Sequence, residues 1–206
     1  MRQAMGKRSI KAIRRDELMD AAIDAVGTEG LNGATIAVIA GRAGMSVGLV
    51  NHYFESKEEL LALAMRNLSS LICRDILDLM PADPTPEQRL KAIIDGSFQP
   101  QHFRGAKRQA WMQFMLASQS EPRIKHLYHL TGMRFVSNTR FAVRQLVPAK
   151  DVEEITDGVV ALIDGFFWQI AGEYAEEDFE RARRVCWRFV TLAIPSMAQL
   201  KAKAKA

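Results

Sequence analysis

The stretch from Thr35 to Phe54, "TIAVIAGRAGMSVGLVNHYF", constrains this chain most: two short apolar-periodic segments divided by "AGMS". Isolated helices shorter than about 12 residues are marginal in water, so such a pair must be held by packing. Thr35 and Ser46 are suited to cap helix N-termini by accepting a backbone N–H. Gly44 between them suits the left-handed backbone that ends a helix. Ile36, Ile39, Ala40 and Ala43 share one face of the first segment, and Val50 and Phe54 one face of the second. The pattern predicts a helix-turn-helix. Val47, Gly48, Asn51 and His52 then fall on the outer side of the second helix. A glycine, an amide and an imidazole pack poorly, but they can approach base edges closely and hydrogen-bond to them.

The flanking segments are helical too. Leu18, Ala21, Ala22, Ala25 and Val26 form a stripe over residues 14–29, which Gly30 ends. Ser56 can cap a fourth helix, with Glu58 and Glu59 in its first turn favouring the positive end of the dipole. That helix should run on until the cluster Pro81, Pro84 and Pro86. Further helices are expected at about 86–97, 105–119, 122–146, 151–173 and 177–198. Strand alternation and internal repeats are absent. The expectation is an all-α chain: a basic arm 1–13, a helix-turn-helix domain 14–60, a larger domain 61–198, and a basic tail 199–206.

Apolar residues make up 48% and charged residues 25%, enough for a sizeable core. The net charge of +4 is modest, but residues 1–15 hold six basic side chains (Arg2, Lys7, Arg8, Lys11, Arg14, Arg15) and no acid. Such an arm suits a polyanion, or simply a solvated terminus. Cys73 and Cys186 look like small core residues of a reducing compartment. No leader and no apolar run near the roughly 20 residues of a membrane span is present, so the expected location is cytoplasmic. No nucleophile–base pair, glycine-rich phosphate loop or metal set stands at recognisable spacing, which argues against an enzyme, a metal or a cofactor. His126 and His129 are three apart but lack a third ligand.

Residues 14–60 resemble the N-terminal DNA-binding domain of the tetracycline-repressor (TetR) family, through "ATIAVIAGRAG", the "SVG" opening, "HYF" and Lys57. The resemblance implies that Val47, Gly48 and Asn51 enter the major groove, with Asn51 suited to read an adenine. It implies that Thr35, Ser46, His52, Tyr53 and Lys57 hold phosphates of operator DNA. Asn51 is a departure, since many members carry Tyr there.

The larger domain offers "AWMQFMLAS", with Trp111, Phe114 and Met115 on one helical face. It also offers "VVALIDGFFWQIAGE", where Asp164 interrupts an apolar run before Trp168. An ionised carboxylate in an apolar helix needs a cation, a hydrogen-bonded neighbour or solvent. Trp111 and Trp168 are otherwise ordinary core aromatics. With "VGLVNHYF" and "EQRLKAIIDGSF", these segments resemble the choline-responsive BetI-type branch of the family, although Met115 stands where its members carry a second Trp. The resemblance implies a ligand-released repressor of choline and glycine-betaine genes, or one answering another hydrophobic or cationic small molecule. Trp111, Phe114, Phe167 and Trp168 would face a quaternary ammonium and Asp164 offset its charge; whether Phe167 or Trp168 points inward stays open. The family's packing further implies a homodimer through the last two helices, with Val159, Ile163, Phe166, Val185, Phe189 and Leu192 as seam candidates. A purely architectural DNA binder is the remaining alternative.

Overall fold

A computed structural model describes residues 9–170 and 175–194. It contains helices α1 (Ile10–Gly33), α2 (Ile36–Arg42), α3 (Val47–Tyr53), α4 (Lys57–Asp78), α5 (Pro86–Ser97), α6 (Lys107–Ala117), α7 (Pro122–Val143), α8 (Val152–Gln169) and α9 (Glu176–Ala193). No strand occurs among the described residues, as expected. Arg2, Lys7 and Arg8, the tail 199–206 and the expected helix ends 171–173 and 195–198 lie outside them.

The helix ends obey local chemistry. Ser9 caps α1 by accepting the Ala12 N–H at 3.2 Å, so the helix starts at Ile10, inside the expected basic arm. Gly30 breaks it with φ 73°, and only a short helical stretch follows, to Gly33. Thr35, Ser46 and Ser56 accept the N–H groups of Val38, Leu49 and Glu59 at 3.2, 3.2 and 3.1 Å. Thr85 and Gln88 form a reciprocal capping box that starts α5.

The chain divides into two compact units. Among the described residues, the first joins 9–69 with Arg104–His129, and the second joins Ser70–Phe103 with 130–170 and 175–194. In the first, Leu18, Ala22, Ala25 and Val26 of α1 are fully buried with Ile39, Val50, Leu60, Ala110 and Phe114. The backbone of Gly27 lies so near α6 that a Cβ there would stand 2.2 Å from the Ala106 carbonyl oxygen. α1 therefore packs α6 as well as α2, and Ile23, outside the predicted stripe, is buried too.

The second unit has its own core, from α5 (Leu90, Ile93, Ile94), α8 (Val152, Ile155, Val159, Ile163) and α9 (Phe179, Cys186, Val190). Arg183 of α9 donates to the Phe98 carbonyl at 3.0 Å, just past the end of α5. Val159 and Ile163 belong to this core rather than to a seam, with 0% and 6% exposure. Phe166 meets Phe98 edge-on at 6.2 Å, and the Phe189 ring closes over Gly158 of the same chain. Of the seam candidates, Val185 and Leu192 remain outside, 37% and 73% exposed. Cys186 is buried, its thiol pushed up to about 12 by desolvation, whereas Cys73 is exposed on α4 instead of lying in the core.

Candidate nucleic-acid interface and effector residues

The turn between α2 and α3 is built by two backbone bonds. Gly44 N–H donates to Gly41 O at 3.2 Å and Met45 N–H to Ala40 O at 2.9 Å, with Gly44 at φ 63°. This is the Schellman ending that a glycine permits. It brings Ser46 into capping position, and α3 then buries Val50 completely while Phe54, just beyond it, is 3% exposed.

The opposite face of α3 carries Val47, Gly48, Asn51 and His52, all exposed. Gly48 is informative because the fold makes no demand for it. Its φ is not positive, and a Cβ there would meet only Ser46 Oγ at 4.0 Å. A glycine here leaves the backbone of α3 open to close approach from outside.

Around this face stand the expected phosphate holders. The Thr35 and Ser46 oxygens accept cap bonds, and a hydroxyl that accepts can still donate its proton to a phosphate. His52 is exposed, and Tyr53 stands edge-on to it at 5.3 Å. Lys57 is placed differently: its ammonium donates to Leu31 O at 3.0 Å and Asn32 O at 3.4 Å, closing the end of α1. Arg42 bonds Thr28 at 2.7 Å and Glu29 at 2.9 Å, tying α2 to α1.

The expected effector residues fall in both units. In the first, Phe114 is fully buried, and Trp111, half-buried, meets Tyr128 of α7 with ring centroids 6.0 Å apart and planes tilted by 41°. In the sequence Tyr128 only stands between His126 and His129; α6 and α7 together make it a partner for Trp111. In the second unit Phe167 points inward against Phe103 at 5.1 Å, while Trp168 is 39% exposed. Asp164 lies on the exposed side of α8, and partial desolvation of its carboxyl raises its pKa from the usual carboxylate range.

An open groove of about 430 Å³ lies between the starts of α4 and α7, lined by Ser56, Glu58, Glu121, Pro122, Arg123 and Ile124. None of the expected effector residues lines it, and it presents no aromatic face. Glu58 there is held below its ordinary pKa by its backbone hydrogen bond and by the Ser56 hydroxyl, with Lys57 and Arg123 assisting.

Two family matches cover most of the chain. Residues 18–64 match the bacterial regulatory proteins of the tetR family, and residues 86–195 match the C-terminal domain of BetI-type transcriptional repressors. The chain belongs to the TetR family, with a BetI-type C-terminal domain. It is a DNA-binding transcriptional repressor and not an enzyme. The HTH-type transcriptional regulator BetI of Escherichia coli K12 is 34% identical over 194 residues, covering 93% of this chain and 100% of that protein. BetI of Klebsiella pneumoniae matches to the same extent, 34% over 194 residues. Among solved structures, a transcriptional regulator from Saccharomonospora viridis in complex with choline shares the fold, with TM-score 0.75 and 21% identity over 89% of this chain and 98% of that one. A Pseudomonas aeruginosa PAO1 regulator aligns with TM-score 0.73 and 25% identity over 89% of this chain and 91% of its own. In this repressor no described helix is long and apolar enough to cross a membrane.

Proposed function

We propose that this repressor is released from operator DNA by choline or a close trimethylammonium relative, and so controls choline and glycine-betaine genes in the cytoplasm. The observation that carries this is the Trp111–Tyr128 pair, placed within the BetI-type segment. A quaternary ammonium has no proton to donate, and aromatic faces hold it at roughly 0.5–2 kcal/mol each, depending on desolvation. Phe114 packs in the same helix, and the choline complex of the Saccharomonospora viridis regulator supports the ligand class. Phe167, Trp168 and Asp164 of the second unit are further candidates by residue type, two aromatic faces and a carboxylate suited to a cation.

Val47, Gly48 and Asn51 read the operator, with Asn51 hydrogen-bonding an adenine edge. Thr35, Ser46, His52 and Tyr53 fix the register on phosphates, and Lys57 joins them with the ammonium proton not spent on the Leu31 and Asn32 carbonyls. The repressor works as a homodimer, whose two recognition helices must lie about one helical turn apart, roughly 34–36 Å. The ligand regulates only if it binds the DNA-incompetent arrangement more tightly. The packing of α1 on α6 supports α1 as an element that carries the shift toward the recognition helix.

Calorimetry on the intact protein tests this. Choline should bind at or below millimolar concentration, and the neutral isostere 3,3-dimethylbutan-1-ol should bind more weakly. Trp111→Ala should lose the choline response while still shifting the promoter duplex without choline. Absence of choline binding at millimolar concentration would remove choline as the effector; equal binding of the isostere would make the effector hydrophobic rather than cationic.

A further inference from the structure

We propose that Arg15 is a positioning residue for the recognition helix, acting through the backbone end of α3 rather than through DNA. α3 has only seven residues and cannot hold its own orientation. Its N-terminal end is tied by the Ser46 cap and the Gly44 turn. Its C-terminal end is tied by α1: Arg15 Nη1 donates to the Tyr53 carbonyl at 2.6 Å, and the guanidinium lies 4.4 Å from the centroid of the Phe54 ring. A cation at the last carbonyls of a helix meets the negative end of its dipole. Glu59 completes the brace from α4. One of its carboxylate oxygens accepts the Glu55 N–H at 2.7 Å, and the other stands 4.0 Å from Arg15 Nη2.

These contacts commit the guanidinium inward. The Arg15 side chain is 31% exposed, and Phe54 beneath it is 3% exposed. Arg14, its basic neighbour on α1, instead pairs with Glu17 of the same helix at 2.8 Å. The planar guanidinium is suited to donate in-plane to a carbonyl while its face covers a ring, which a lysine cannot do in the same way.

The distinction is measurable in salt. A phosphate contact contributes about 0.9 to the slope of log K against log salt, and it acts on every duplex. A positioning residue changes how well Val47, Gly48 and Asn51 meet base edges, and so acts chiefly on the cognate duplex without removing a cationic phosphate contact. The test uses the full chain, a duplex selected from random sequence by the wild-type protein, and a scrambled duplex of the same composition. Arg15→Met should bind the selected duplex roughly tenfold more weakly. Its binding to the scrambled duplex should fall much less, and its salt slope there should stay at the wild-type value. Arg15→Lys should recover part of the loss, because an ammonium can still donate to Tyr53 O. If Arg15→Met does not fold, Arg15→Lys carries the same comparison, with a smaller loss concentrated on the selected duplex. A proportional loss on both duplexes, with the slope reduced by about one contact, would make Arg15 a phosphate ligand and overturn the proposal. Wild-type binding to the selected duplex by Arg15→Met would overturn it as well.

Discussion

Gly48 separates what the fold needs from what the partner needs. Nothing in the chain opposes a Cβ at this position, and glycine is a poor helix former. Gly48→Ala should therefore raise stability by about 0.5–1 kcal/mol while weakening operator binding. Thermal melts and gel shifts on one preparation check this, and an alanine variant that binds like wild type would remove close approach as the reason for the glycine. The nearby cap residues Thr35 and Ser46 were legible because capping is a local event, settled within three residues. Lys57 was not fully legible, since its ammonium closes the end of α1, 26 residues earlier in the chain.

Helix α8 shows how an element divides its faces. Val152, Ile155, Val159 and Ile163 fill the core, while Ala161, Asp164 and Trp168 lie on the exposed side. Desolvation raises the Asp164 pKa, so the folded chain holds that proton more tightly than the unfolded chain does. Stability contributed by the group is then present below the ordinary Asp pKa of about 3.9 and is lost as pH rises through the raised value. Asp164→Asn should raise the melting midpoint at neutral pH and change it little below about pH 3.9. Melts across the pH range test this; a constant difference between variant and wild type would show that Asp164 is not the group responsible. If Asp164 also offsets a bound cation, choline affinity in wild type should fall as pH is lowered through the same raised pKa.

At the scale of the whole molecule the expected partner is a second copy. α9 leaves Val185 and Leu192 exposed beside Arg181, Arg184 and Arg188, while the exposed side of α8 carries Asp157, Asp164 and Trp168. A two-fold arrangement can bring apolar residues of both copies together and set acidic positions near basic ones. Val185→Glu with Leu192→Glu should yield a folded monomer at micromolar concentration, since neither side chain belongs to the protomer core. Operator affinity should fall with it, because two half-sites need two linked recognition helices. Sedimentation and gel shifts check both parts; an undisturbed dimer would place the interface elsewhere.

Local physics made the helices, their caps, the turn at Gly44 and the outward face of α3 readable from the sequence alone. Each rests on residues within a few positions of one another, where backbone geometry fixes which side chains meet. The tertiary structure decided the rest. It turned Arg15 from a member of a basic arm into a brace on Tyr53, 38 residues away, and set Tyr128 against Trp111. It sent Val159 and Ile163 into the chain's own core and left Val185 and Leu192 outside. Helical periodicity marks which residues are apolar, but it does not say which surface will cover them. That depends on how distant helices pack.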